Sequence, residues 1–141
     1  MQPGSEEVTT VLEAALPDDL LYTPEGCWVR LESGTAVVGL MRRVFDDLGA
    51  AVCVDVPSPS AAVEAGDRLA IVECTCRRIE VRSPVSGRIL EANWTLAIHP
   101  EHMNADPYGS AWIARLTLDD LFEVGSLLGA DDLRRLERGS G

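Results

Sequence analysis

Between Cys27 and Leu40 the chain reads CWVRLESGTAVVGL, two apolar stretches separated by Glu32, Ser33 and Gly34. Apolar runs of this length around a Ser-Gly pair predict two short strands joined by a turn. MRRVFDDLG follows, and its Val44, Phe45 and Leu48 share one side of a short helix that Gly49 can cap. AAVCVDVP predicts a strand ended by the polar, Pro-rich PSPSA. After a turn at VEAGD, the runs RLAIVE and RIEVR flank ECTC as two arms of a hairpin whose tip faces solvent. In the second arm Ile79 and Val81 alternate with Arg78, Glu80 and Arg82, the period of a half-buried strand.

SPVSG predicts another turn and RILEAN another strand. AGDRLAIVE and VSGRILEAN echo each other, as in a sheet built from two related halves. HPEHMNADPYG reads as a loop with one helical turn, and SAWIARLTL as a further strand. GADDLRRLERG closes the chain as a helix, with Asp131 and Asp132 in its first turn and Arg134, Arg135 and Arg138 toward its end, as the helix dipole favours. Ahead of all this, residues 1–19 form an acidic N-terminal extension in which EEVTTVLEAAL predicts a short helix stopped by Pro17. Residues 20–141 then form one mainly β domain, a sandwich with short helices at its edges.

Composition narrows the function. The 141 residues are 46% apolar and 25% charged, a globular balance with room for one modest core. Net charge is −11, which argues against nucleic acid, whose phosphates need a basic face, and favours basic partner surfaces. No apolar run approaches the ~20 residues of a membrane span. MQPGSEEVTT lacks the basic and apolar regions of a signal peptide, so a cytoplasmic location is expected and no membrane partner. The acid gathers at both ends, whereas Arg77 to Arg88 carries four arginines against Glu80. All twelve basic residues are arginine. Without a lysine, no lipoyl or biotinyl group can be joined to a lysine side chain.

Four cysteines remain to be placed: Cys27, Cys53, Cys74 and Cys76. In a cytosolic chain such residues serve as free thiols, catalytic groups or ligands more often than as structural disulfides. Cys53 stands in a strand among apolar residues and is assigned to the core, as is Cys27. Cys74 and Cys76 lie at a hairpin tip between charged residues, where no core is expected. His99 and His102 read as solvated loop residues with no acid or serine at triad spacing. Trp28, Trp94 and Trp112 read as packing residues.

From Leu20 to Leu136 the chain resembles the H protein family of the glycine cleavage system. LYTPEGCWVRLESGTAVVGL is similar to that family's opening, where Gly26 and Cys27 stand in place of the usual His-Glu. LGAAVCVDVP, VEAGDRLAIVE, SPVSGRILEAN and NADPYGSAWIARLTL resemble further family segments in order and spacing. The resemblance implies a flattened β-sandwich, a barrel-sandwich hybrid of the lipoyl-carrier type. It also implies a hairpin-tip lysine bearing a lipoyl group that swings between partner enzymes. The family segment Glu-Ser-Val-Lys-Ala, counted back from Ser83 without a gap, puts the serine on Cys74, the lysine on Cys76 and the alanine on Arg77.

What the tip does is left among four readings. As a covalent carrier without lipoate, Cys76 would hold a persulfide, thiocarboxylate-type sulfur or acyl thioester as thiol-linked cargo. Cys74 would be its partner thiol, and Arg77 and Arg78 would lower the thiol pKa. Loading and receiving enzymes would then dock on the tip, and the chain itself would be no enzyme. As a redox dithiol, Cys74 and Cys76 would close a strained disulfide. As a metal site, the pair would recruit Cys27, His99 or His102, at spacings unlike usual zinc patterns. As a degenerate relative, the protein would be a scaffold or regulator without cargo.

Overall fold

The computed structural model of the chain describes residues 16–140, with side chains through residue 137. Most of the acidic extension, including the helix expected over EEVTTVLEAAL, lies outside the described residues. Nine strands follow in order: β1 (Leu21–Tyr22), β2 (Cys27–Glu32), β3 (Thr35–Leu40), β4 (Ala51–Asp55), β5 (Ala62–Val63), β6 (Arg68–Cys74), β7 (Arg78–Arg82), β8 (Gly87–Ala92) and β9 (Ala114–Thr117). Short helices α1 (Phe45–Leu48), α2 (Thr95–Ile98) and α3 (His102–Ala105) lie between them, and α4 (Ala130–Ser140) ends the fold. All strand pairs are antiparallel, in one sheet ordered β1-β2-β3-β9-β8-β5 and a second ordered β4-β6-β7. This is the expected mainly β sandwich with peripheral helices. No helix among the described residues is long and apolar enough to cross a membrane.

The β2–β3 hairpin turns at Ser33 and Gly34, both at positive φ (44° and 82°), the backbone hand that matches strand twist in a two-residue loop. Along β3 every residue from Ala36 to Leu40 is buried, because both faces of this strand are covered. Ala36, Val38 and Leu40 face the core between the sheets, with Val29, Val54, Val72, Ile89 and Leu116. Val37 faces the other way, into a second cluster with Trp28, Tyr22, Met41 and the α4 residues Ala130 and Leu133. The C-terminal helix is therefore the lid of that second cluster. Leu16 packs against the same cluster, and the Tyr22 hydroxyl donates to the Pro17 carbonyl at 2.5 Å.

Several elements differ from the sequence expectation. β9 begins at Ala114 rather than Ser110, because the buried Asn93 amide donates to the carbonyls of Ser110 and Trp112 (2.8 Å each), groups that a neighbouring strand would otherwise engage. A helical turn at Thr95–Ile98 was not expected; fully buried Leu96 anchors it. A 3₁₀ segment, Leu121–Ser126, forms where Asp120 accepts from the Phe122 N–H and Glu123 accepts from both the N–H and the hydroxyl of Ser86.

Two residues assigned to packing are exposed instead. Cys53 would share its inward face with Ala51 by strict alternation, but β4 carries a bulge: Ala51 pairs with Cys74 and Cys53 with Glu73, leaving Val52 as the extra residue. The parity flips, Val54 turns inward, and Cys53 faces solvent. Trp94 is 56% exposed, since the turn after β8 directs Asn93 and Leu96 inward on either side of it. Trp28 is fully buried and Trp112 half-buried, as packing residues should be.

Candidate functional site

The β6–β7 hairpin closes where the Cys74 N–H donates to the Arg77 carbonyl at 2.9 Å, leaving Thr75 and Cys76 as a two-residue loop. Neither adopts positive φ. The loop is seated on the segment between α1 and β4. The Cys76 N–H donates to the Leu48 carbonyl (3.0 Å) and the Thr75 N–H to the Ala50 carbonyl (2.9 Å). The Ala50 N–H in turn donates to Thr75 Oγ1 (3.3 Å). The pairing of β4 with β6 is thereby carried past the end of β6 to the apex. Residues 48–50 lie some 25 positions upstream, and no local pattern revealed that they form the seat of the tip.

Cys76 is an exposed free thiol at the apex. Cys74 is free as well, yet only 9% exposed, and it joins the inter-sheet core opposite Ala51. The expectation that the tip offers no core fails at this residue, because the last inward position of β6 still lies over the sandwich. Burial, followed by the neighbouring Cys76, pushes the Cys74 pKa up. A thiolate in the core would lose its hydration, which favours the neutral thiol. Arg77 and Arg78 are exposed and form no ion pair with any described residue. Arg78 stands across from Glu73, which stands across from Cys53, so a row of these three crosses the outer face of the smaller sheet.

The other candidates lie elsewhere. Cys27 is buried beside the far end of β7, its thiol directed at the Arg82 carbonyl at 3.7 Å, and desolvation raises its pKa to about 12. It is a core residue, as expected. An open pocket of about 430 Å³ lies at that same end, lined by Thr23, Glu25, Arg82, Ser83 and Leu127 among others, and no tip residue lines it. His99 is exposed and hydrogen-bonded to Glu101 at 3.1 Å; its ring stacks on His102, whose Nδ1 lies 3.3 Å from Ser110 Oγ. No group of three or more His, Cys, Asp or Glu among the described residues is arranged to hold a metal ion.

The family profile described as "Glycine cleavage H-protein" matches residues 20–138. A glycine cleavage system H protein of Coxiella burnetii is 39% identical over 124 residues, covering 87% of this chain and 95% of that protein. One of Aeromonas hydrophila is 41% identical over 117 residues, covering 82% and 91%. Among solved structures, a glycine cleavage system H protein from Mycobacterium marinum superposes with a TM-score of 0.78 at 27% identity, covering 87% of this chain and 99% of that one. With a profile match over most of its length and relatives at 39% and 41% identity, the chain belongs to the glycine cleavage H-protein family.

Proposed function

We propose that the chain is a carrier protein that bears covalent cargo on Cys76 and passes it between partner enzymes that dock on the β6–β7 tip. The observation that carries this reading is the exposed free thiol at the apex of the hairpin, at the position that the H-protein resemblance gives to the lipoyl-lysine. A lipoyl-lysine is not open to a chain whose twelve basic residues are all arginine. A thiol can take its place with smaller cargo. Attack of the Cys76 thiolate on the outer sulfur of a donor persulfide forms a persulfide on Cys76 and releases the donor as a thiol, with no net redox change. Attack on an activated acyl group forms a thioester and expels the leaving group. Arg77 and Arg78, unpaired with described acids, are placed to meet an anionic cargo or an acidic partner surface.

Burial and the raised pKa of Cys74 weigh against a working dithiol, because exchange requires an accessible thiolate. The same core position supports a second reading, in which Cys74 is only a small apolar residue and the protein a scaffold without cargo.

Intact mass of protein isolated from its native host without reductant separates these readings. Added mass on Cys76 is expected, released by dithiothreitol for a persulfide or by hydroxylamine for a thioester. An unmodified chain, together with full function of Cys76→Ser in the host, would leave the scaffold. Loss of the two thiol hydrogens, with Cys74 and Cys76 both refractory to alkylation, would instead establish the disulfide.

A further inference from the structure

We propose that Asn104 is a positioning residue for the Cys76 thiol, acting through the backbone of Gly49, Ala50 and Ala51. Its side-chain Nδ2 donates to the Gly49 carbonyl at 3.1 Å, and its Oδ1 accepts from the Ala51 N–H at 2.8 Å. A carbonyl can only accept and an N–H can only donate, so these two partners fix the orientation of the amide. The Asn104 side chain thus pairs with the start of β4 as a peptide group of a neighbouring strand would.

The segment gripped in this way is the seat of the tip. Ala50 lies between the two gripped residues and holds Thr75 from both its N–H and its carbonyl, while Leu48, next to Gly49, accepts from the Cys76 N–H. Asn104 is itself fixed, since adjacent Met103 is fully buried and anchors α3 in the core. Gly49 completes the seat. It has φ +85°, and a Cβ placed there would lie 2.3 Å from Thr75 Oγ1 and 3.4 Å from Cys76 Sγ. Any side chain there would press on Thr75, so the loop needs a glycine beneath it, while Cys76 itself stays exposed.

The consequence deepens the carrier reading and rests on it. Cys76 is presented as a fixed point rather than at the end of a mobile arm. A partner enzyme must bring its own reactive group to the exposed sulfur. Asn104 sets that presentation without touching cargo.

The test uses the full chain with Cys53→Ser, so that Cys76 is the one exposed thiol among the described cysteines. It measures amide hydrogen exchange at Thr75 and Cys76 and the rate of Cys76 alkylation by iodoacetamide. Asn104→Ala should speed exchange at both amides by about tenfold or more, the change expected on loss of local protection. Alkylation of Cys76 should also accelerate, as the sulfur leaves its seat, while the β2–β3 ladder keeps its exchange rates. Asn104→Asp, which retains volume and the acceptor for Ala51 but removes the donor, should do the same. Thr75→Val should accelerate alkylation with Asn104 intact. If Asn104→Ala does not fold, Asn104→Ser carries the measurement. Unchanged exchange at Thr75 and Cys76, or a uniform rise across the whole molecule with unchanged alkylation, overturns the proposal. Neither readout involves cargo. An unmodified Cys76 in the native host would therefore sink the carrier reading and leave this result standing, and the reverse also holds.

Discussion

At the scale of single residues, four cysteines of one kind acquire three environments. Cys27 and Cys74 are held in the inter-sheet core, Cys53 is turned out by a bulge, and Cys76 is exposed at the apex. Desolvation makes the Cys27 thiol hard to ionise, with its pKa raised from 9.0 to about 12. An unfolded chain releases that proton near pH 9, whereas the folded chain retains it. The stabilisation is complete below the unfolded value and is lost as pH rises toward 12. Over that window this one group lowers the unfolding free energy by about 1.4 kcal/mol per pH unit. Urea unfolding between pH 8 and 11 should show a shallower alkaline decline for Cys27→Val than for the wild type. Parallel declines would show that Cys27 does not carry the dependence. The comparison isolates Cys27, because burial also raises the Tyr22 and Cys74 pKa values and both proteins share those contributions.

At the scale of elements, most strands were legible as short apolar runs bounded by turn residues, and one also by a period of two. β7 is the clearest case, its Ile79 and Val81 facing inward between charged neighbours. β3 was legible by its length and its Ser-Gly turn, but not the reason for its continuous apolar run, which is the α4 lid on its second face. The packing there is close. Gly39 lies across from Trp28, and a Cβ on it would come within 2.3 Å of the indole ring. The ring cannot withdraw, since it is fully buried and its Nε1–H donates to the Pro107 carbonyl at 2.8 Å. Gly39→Ala should cost about 1–3 kcal/mol by overpacking, read as a lower urea midpoint at unchanged slope. An unchanged midpoint would mean that the indole yields. α2 and the Leu121–Ser126 turn left no such signal, because each is shorter than a helical period can register and each depends on a distant partner, the core for Leu96 and Ser86 for Glu123.

At the scale of the whole molecule, a net charge of −11 on a chain of 141 residues sets like charges against one another. Exposed ion pairs offset part of this. Arg115 bridges Glu32 and Glu91 across the larger sheet, and Arg43 reaches Glu137 on α4. Salt screens the remaining repulsion more than it weakens these few pairs. The melting temperature should therefore rise by about a few degrees as ionic strength goes from 10 mM to 0.2 M, where the Debye length falls from about 30 to below 10 Å. A melting temperature that falls with salt would show that the ion pairs dominate.

By itself the sequence determined the β-rich class, the hairpin with Cys76 at its tip, and the exclusion of any lysine-linked group. These follow from residue identity, from apolar runs of strand length and from local turn chemistry, all written in consecutive residues. Only the tertiary structure decided which thiols are reachable. Cys53 faces outward through a single extra residue in a ladder, and Cys74 faces inward because β6 extends over the core to its last position. The seat of Cys76 was likewise decided in three dimensions. Leu48, Ala50 and Asn104 come from separate stretches of chain, and their backbone and amide hydrogen bonds follow no sequence period. A strand's pattern records which face is buried, whereas register, bulges and long-range hydrogen bonds are set by the partner strand and leave no mark on the strand that obeys them.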